Sequence, residues 1–469
     1  MQKRFRKMDF GMVGIIMSLA WPTMLEQLMQ TAVQYIDTAM VGALGTHATA
    51  AVGSTTTVNW LLSSSISALG VGFLSFIARA CGAKDREAAR RSVSQAVLAV
   101  LVAGTFFTVL ALSLSGMVPK WMQVDKSIQK LASQYFFILY LPMLPRAATI
   151  IFGTVLRAAG DTKSPMKIGI LVNVINVILN FLLIYSTRTV EVFSWEFTMP
   201  GAGLGVIGAA IASAIAFTVG GICITIVLWR HPLVSPKGQK LRPDMEILKP
   251  CLKVAFPNML QRFGTSLGYV AFASMINSLG EVATAAHTIA NTVESAFYIP
   301  GYGMQTAAAT LAGNAYGAKD PKGMKRLAKM FIPIEILLMI FSGSVLFLLA
   351  PGLMELFSGS EEVIRLGTAV LRMVAVWEPF YGFSIIIEGM MQGVGKTKEP
   401  FKYNIIGMWG VRIVGTFLCT QLLGMGLVSA WACMIAHNLL IFVLFLICYV
   451  RGKWNPFTSG DAATGQTLS

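Results

Sequence analysis

Charge is what this chain of 469 residues has least of: Asp, Glu, Lys and Arg make up 13% of it, against 55% hydrophobic residues. Soluble domains carry about a quarter charged residues, so a soluble globular fold is excluded. Histidines number four, and no HxxxH or HExxH spacing occurs. With Asp37 as the lone acid of its type at membrane depth, no nucleophile–base pair or metal cluster is available, and a membrane-embedded enzyme is disfavoured. No GxxxxGK[ST] loop is present, which removes ATP-driven transport. The six cysteines (Cys81, Cys223, Cys251, Cys419, Cys433, Cys448) form no CxxC pair and fall mostly in or beside apolar runs. They read as small buried hydrophobes. The basic start "MQKRFRKMDF" lacks the short apolar core and small-residue cleavage site of a signal peptide, so the first span is expected to be retained.

What the chain does have is apolar length. Gly, Pro and charge punctuation divides it into twelve segments, near 10–43, 47–80, 91–117, 130–155, 164–186, 203–229, 247–278, 282–315, 328–350, 362–391, 400–422 and 426–450. About 20 apolar residues cross a hydrocarbon core of about 30 Å. The net charge of +15 is distributed as the positive-inside rule requires. With the N-terminus inside, 27 of the 37 Lys and Arg fall in cytoplasmic regions. The expectation is a multi-pass protein of the plasma membrane with both termini cytoplasmic. Its surroundings are lipid, and no nucleic-acid partner is implied.

The chain also repeats itself. "AWPTML" begins at Ala20 and "AFPNML" at Ala255, 235 residues later. At the same offset "LGTHATAA" meets "LGEVATAA", "GAKD" at 82–85 meets "GAKD" at 317–320, and "GDTKSPMK" meets "GKTKEPFK". The offset falls to 221 for "GLGVIGAA" (203–210) and "GMGLVSAW" (424–431), the difference being an extra outer loop at 187–200. The organisation expected is an N-terminal six-helix lobe (1–230), a cytoplasmic linker (231–244), a C-terminal six-helix lobe (245–453) and a disordered cytoplasmic tail (454–469). An even number of spans per half makes the repeats parallel, related by a pseudo-two-fold axis along the membrane normal. The fold class is therefore an all-α polytopic membrane protein of twelve transmembrane helices in two lobes.

Each half serves as a control for the other. Residues shared by both copies, such as Pro22 and Pro257 or the two GAKD loops, serve the fold. Asp37 faces Phe272, Asn176 faces Val411, Asn180 faces Gly415 and Ser213 faces Met434. These four polar positions have no polar counterpart and need another reason. Thr23, Glu26, Gln30, Gln34 and Asp37 recur at spacings of 3, 4, 4 and 3, which places them on one helical face; Asn173, Asn176 and Asn180 do the same on span five. In lipid such stripes turn toward protein or a watery cavity. Asp37, Asn180 and Ser213 lie at similar depth, roughly 9–15 Å below the outer surface at about 1.5 Å per residue. A carboxylate, two amides and a hydroxyl suit a small hard cation, and a buried carboxylate alone can carry a proton. Asp37, Asn176, Asn180 and Ser213 are thus the candidate cation-coupling residues, the first three as ligands of a possible Na⁺. Glu26, Gln30, Gln34 and Asn173 are candidates to line the cavity.

The second half has charges of its own: Arg262, Glu294, Glu335, Glu378, Glu388 and Arg412 face Gln27, Asn59, Val100, Met143, Gly153 and Val177. Glu294 and Glu378 are candidates to line a second cavity and select cationic substrates. Arg262, Glu388 and Arg412 serve equally well as ion-paired braces.

Taken together, "AWPTMLEQLMQTAVQYIDTAMVG", the GAKD loops, "LRAAGDTKSP" with "NVINVILN", "GVIGAAIAS" and "AAHTIANTVESAFYIPGYGMQTAAATLAGNAYGA" resemble the multidrug and toxic compound extrusion (MATE) transporters over nearly the whole chain. The resemblance implies two lobes around a central cleft and export of drugs or toxic amphipathic organic cations in exchange for Na⁺ or H⁺. It implies a coupling site around Asp37, with the family's span-five Asn at Asn176 and its span-six Thr position at Ser213. Asn180 stands where many members carry a second acid, and Thr265 where one branch carries a Glu, so a C-terminal Na⁺ site is not implied. The function expected is a cation-coupled antiporter working as a monomer, with no cofactor beyond the coupling ion. The alternative on the same architecture is a flippase for a lipid-linked or amphipathic precursor, against which the scarcity of Lys and Arg at membrane depth weighs.

Overall fold

A computed structural model describes residues 10–121, 125–192 and 195–458. The basic start at 1–9 and the tail beyond 458 lie outside the described residues. In chain order the elements are α1 (Phe10–Gly42), α2 (Thr46–Gly82), α3 (Arg86–Leu114), a short α4 (Val118–Trp121), α5 (Gln129–Tyr140), α6 (Met143–Ala158) and α7 (Lys163–Leu183). Strands β1 (Ser186–Val192) and β2 (Trp195–Ala202) follow, then α8 (Gly205–Arg230), α9 (Met245–Asn277), α10 (Glu281–Gly317), α11 (Pro321–Phe357), α12 (Glu361–Ala375) and α13 (Glu378–Gly393). The last stretch runs α14 (Lys398–Ile405), a π-helical segment Ile406–Ile413, α15 (Val414–Phe417), a second π-helical segment Leu418–Leu422, and α16 (Leu427–Val450).

Among the described residues eight helices are long and apolar enough to cross a membrane, and two bent pairs bring the number to ten. α9 and α10, of 33 and 37 residues, have the length and fill the places of α1 and α2 in the second repeat. The architecture is the all-α twelve-span fold. Two of the expected segments are not straight: α5 and α6 meet at 50°, and α12 and α13 at 53°. Pro142 precedes α6 and Pro379 opens α13. A proline without its N–H, whose ring also disfavours helical geometry at the preceding residue, ends one helix and starts another. The segment at 187–200 read as a loop is an antiparallel hairpin, with Thr189 opposite Thr198 and Val190 opposite Phe197. Its sequence is rich in β-branched and aromatic residues, which favour strands.

The repeat is written into the backbone. Lys84 and Lys319, at the same place in the two GAKD loops, are the only non-glycine residues with positive φ among those described, at 59° and 52°. Gly45 and Gly280 (107° and 104°), Gly160 and Gly395 (89° and 80°), and Gly203 and Gly424 (66° and 63°) match likewise. Left-handed turns at these positions require glycine or tolerate lysine only at a cost.

The described residues divide into two compact units, one of residues 10–24, 74–85 and 250–458, the other within 25–73 and 86–249. In the first, Gly82 packs on the Asn314 backbone and Gly317 on the Arg79 backbone, leaving no room for a Cβ at either glycine. Position 82 thus meets the repeat partner of 79, and position 79 the repeat partner of 82, as a two-fold axis through the contact demands. Arg79 stacks on the Tyr316 ring at 4.7 Å and donates to the Val394 carbonyl. Residues from α10, α11, α13 and α16 form one apolar core around Met304, Phe331, Met391 and Phe445. A second core surrounds Phe272, Leu346, Leu371 and Trp431. Trp454 is buried against the first of these.

In the second unit the connecting segment 231–244 is tied to α3. Arg91 pairs with Asp244 at 2.6 Å, Gln95 donates to the Arg242 carbonyl and accepts from the Asp244 N–H, and Gln239 bonds Glu87. Small residues set the spacing of α6, α7 and α8. A Cβ on Gly221 would stand 2.5 Å from Pro145, and one on Gly208 would strike the Leu183 backbone.

Candidate functional site

The second unit brings Asp37 of α1, Asn176 and Asn180 of α7 and Ser213 of α8 into one hydrogen-bonded cluster. Asn176 and Asn180 are one turn apart on the buried face of α7, exposed by 6% and 1%. Gly220, against which Val172 packs, lets α8 approach α7 closely enough for Ser213 to reach across. Asn180 Nδ2 donates to Asp37 Oδ1 at 2.6 Å and to Asn176 Oδ1 at 3.1 Å, while Asn176 Nδ2 lies 3.0 Å from Ser213 Oγ. Tyr185, two residues past the end of the same helix, donates to the Met40 carbonyl at 3.1 Å and fixes α1 against the end of α7 just beyond Asp37.

The Asn176 amide has two orientations of different meaning. With its oxygen toward Asp37 it presents an acceptor to a carboxylate, an arrangement that requires a proton or cation between them. Reversed, its Nδ2 donates to Asp37 at 2.8 and 3.2 Å, and its oxygen accepts from Ser213 at 3.0 Å. An ionised carboxylate accepts only, so it selects the second orientation. Among the described residues, buried Asn180 Oδ1 has no hydrogen-bond partner. Carboxylate, amide and hydroxyl oxygens of this kind are ligands for a hard cation. Among the described residues no guanidinium or ammonium lies within 4.0 Å of Asp37.

The remaining residues on the two stripes fall in different places. Glu26 is held by Arg157, whose Nη2 stands 2.6 and 2.7 Å from its two oxygens. Gln30 and Gln34 are exposed. Asn173 is half-buried with an unpartnered Nδ2. Glu294 and Glu378 belong to the other unit, where they line a small cavity together with Arg412. None of Arg262, Glu388 and Arg412 forms an ion pair within 4.0 Å among the described residues. Arg262 donates to Asn258, Glu388 accepts from Gln261, and Arg412 lies over the Phe272 ring at 4.1 Å.

Two residues near the cluster escaped the sequence reading. Tyr135 of α5 is buried within electrostatic range of both Asp37 and Arg146. Arg146 of α6 is itself buried; it donates to Ser63 at 2.9 Å and lies over the Phe217 ring at 4.7 Å. The signal was available for Arg146. Its counterpart 235 residues on is Tyr381, and a one-sided arginine at membrane depth is the kind of residue that comparison finds.

Comparison with known proteins agrees with this architecture. The MatE family profile matches the chain twice, at residues 22–182 and 257–418, once in each repeat. A probable multidrug resistance protein, NorM of Thermotoga maritima, is 26% identical over 439 residues, covering 94% of this chain and 92% of its own. The probable multidrug resistance protein YoeA of Bacillus subtilis is 26% identical over 421 residues, covering 87% of each. Among solved structures, a MATE protein crystallised in complex with MaL6 superposes with a TM-score of 0.86, at 24% identity and covering 93% of this chain and 95% of that one. The chain belongs to the MatE family, whose members are multi-pass membrane proteins and secondary transporters rather than enzymes.

Proposed function

We propose that this protein exports drugs or toxic amphipathic organic cations across the plasma membrane in exchange for Na⁺ or H⁺, by alternating access, as a monomer with both termini in the cytoplasm. The observation that carries the reading is the Asp37 cluster: a carboxylate at membrane depth, bonded by the Asn180 amide in a network with Asn176 and Ser213, with no guanidinium or ammonium within 4.0 Å among the described residues. A charge there is costly and persists where it has work to do. The names of the NorM and YoeA relatives support a drug as the cargo.

The chemistry follows from hydrogen-bond polarity. Ionised Asp37 collects N–H groups from Asn176 and Asn180, and Ser213 donates to the Asn176 oxygen. When a proton or Na⁺ arrives on Asp37, the Asn176 amide reverses to present oxygen, and Ser213 turns from donor to acceptor. α1, α7 and α8 are thereby linked differently in the loaded and unloaded states. An ion drives transport only through such a difference in affinity between two states. Substrate leaves when the ion loads from outside, and the ion-loaded transporter returns to the cytoplasmic side, where the ion is released and the next substrate binds.

Ethidium efflux from cells carrying Asp37→Asn tests the coupling role. Efflux is expected to fall to the level of cells without the protein; a wild-type rate refutes it. In proteoliposomes, Na⁺ and pH gradients imposed separately then show which ion drives uptake of a fluorescent cation.

A further inference from the structure

Within the second unit, α3, α5 and α8 leave an open groove of about 370 Å³ between them, in the range of about 300–1,000 Å³ usual for ligand pockets. Ser115 just past α3, Ser133, Gln134, Phe137 and Ile138 of α5, and Ile207 of α8 line it. It lies at the membrane face away from the GAKD loops, where α3 ends and α8 begins. The Ser133 hydroxyl donates to the Ser115 carbonyl at 2.8 Å and ties α5 to the end of α3. Polarity is graded along α5. Lys130, Ser133, Gln134, Phe137, Ile138 and Leu141 recur at spacings of 3, 1, 3, 1 and 3, which is one face of a helix. From the helix start inward that face passes from ammonium, through hydroxyl and amide, to ring and alkyl. Lys130, Gln134, Phe137 and Leu141 are exposed. The rise from Lys130 to Gln134 is about 6 Å, the thickness of the headgroup layer outside a hydrocarbon core of about 30 Å.

Charge gathers at the same end. The sequence places five Lys or Arg on the membrane face away from the GAKD loops (Lys120, Lys126, Lys130, Arg188 and Arg365), and three of them fall within 120–130. α4 packs against α5 and brings Lys120 and Trp121 there. Trp121 is 64% exposed, as suits a ring at the membrane–water boundary. Among the described residues none of the three lysines forms an ion pair within 4.0 Å. Asp125 is the only acid in residues 88–160, and it is held by Ser127. The fold shared by the two repeats does not need this arrangement. At the 235-residue offset Lys120 and Lys126 meet Glu355 and Glu361, Ser115 meets Ala350 and Gln134 meets Ala369.

We propose that the groove binds one anionic glycerophospholipid, with its phosphate among Lys120, Lys126 and Lys130, its ester groups beside Ser133 and Gln134, and an acyl chain along Phe137, Ile138 and Ile207. Headgroup, ester and hydrocarbon follow one another in the order in which α5 presents cation, polar group and apolar side chain. The net positive charge at the mouth selects a negative headgroup over a zwitterionic one.

Quenching of tryptophan fluorescence by lipids brominated on their acyl chains tests this. The full chain is reconstituted in vesicles with the same composition in both leaflets, so the result does not depend on orientation. Phe137→Trp adds a reporter inside the groove, and the difference from wild type isolates its signal. Each lysine is worth about fivefold for a negative headgroup near the membrane surface, and Asp125 takes away about one such factor. Brominated phosphatidylglycerol is therefore expected to bind about 25-fold more tightly than brominated phosphatidylcholine. Changing the three lysines to Gln together is expected to bring that ratio to one or below, and Asp125→Asn to raise it about fivefold. A ratio near one in the Phe137→Trp protein, or one that the triple variant leaves unchanged, overturns the proposal. So does a reporter that neither lipid quenches, the result expected if a second copy of the chain covers the groove. Should a tryptophan at 137 itself block the groove, Ile207→Trp repeats the measurement from the α8 wall. Asp37→Asn is expected to keep the lipid preference, so a failure of the export reading and a failure of lipid binding are told apart.

Discussion

The ion pair between Glu26 and Arg157 makes the sharpest demand on stability. Arg157 Nη2 stands 2.6 Å from Oε2, and the two side chains are 10% and 17% exposed. Breaking a buried pair by removing one partner leaves the other charge uncompensated, at a cost of about 3–5 kcal/mol. Glu26→Gln keeps the shape and removes the charge, so it carries nearly the full penalty. So does Arg157→Met. The double variant leaves no orphan and is expected to recover most of the loss, because a buried pair exchanged for neutral groups is often close to neutral in stability. The coupling energy is then of the same size as each single loss, about 3 kcal/mol or more, a population factor of about a hundred or above. Chemical unfolding in detergent micelles, followed by tryptophan fluorescence for all four proteins, measures it. Additive single losses would refute the reasoning and return Glu26 to the substrate cavity. Fluorescent-cation binding to the double variant makes the same distinction: unchanged affinity is expected of a brace, lost affinity of a cavity residue.

Gly317→Ala forces a methyl group into the Arg79 backbone and is expected to lower the melting temperature by several degrees, whereas Gly424→Ala, with open space but positive φ, should lower it less; fluorescence-detected thermal unfolding compares them. Ser213→Ala removes one hydroxyl from the Asp37 cluster, and the coupling-ion concentration for half-maximal transport is expected to rise about tenfold, the worth of about 1.4 kcal/mol, with substrate binding in ion-free buffer unchanged. The exposed pair Arg91–Asp244 is worth well under 1 kcal/mol, so Asp244→Asn should leave transport and melting temperature near wild type. Asp125, whose carboxyl accepts from Ser127 N–H and Oγ and is thereby held below its ordinary range, should return toward that range in Ser127→Ala, as read by carboxyl NMR titration.

The features that were legible were those with a long period. Spans follow from composition, because a bilayer core admits backbone only with its polar groups satisfied internally. Two copies of one pattern at a constant offset exposed the internal symmetry, and the matching left-handed turns at 84 and 319 are its backbone imprint. The same comparison singled out Asp37, Asn176, Asn180 and Ser213, since a polar group kept in one copy and absent from the other cannot be serving what the copies share. The breaks between α5 and α6 and between α12 and α13 were less visible, because an apolar run reads alike whether its helix is straight or bent.

Sequence alone settled the membrane class, the repeat and the short roster of polar side chains at depth, because each rests on composition or on one helix's own periodicity. Partnership came from the fold. That Glu26 answers Arg157, that Arg412 lies on rings instead of on an acid, and that Asn180 reaches Asp37 from 143 positions away depend on glycine contacts setting how closely helices approach. A difference of an ångström between helices separates a hydrogen bond from none, and no pattern along a single helix records that distance.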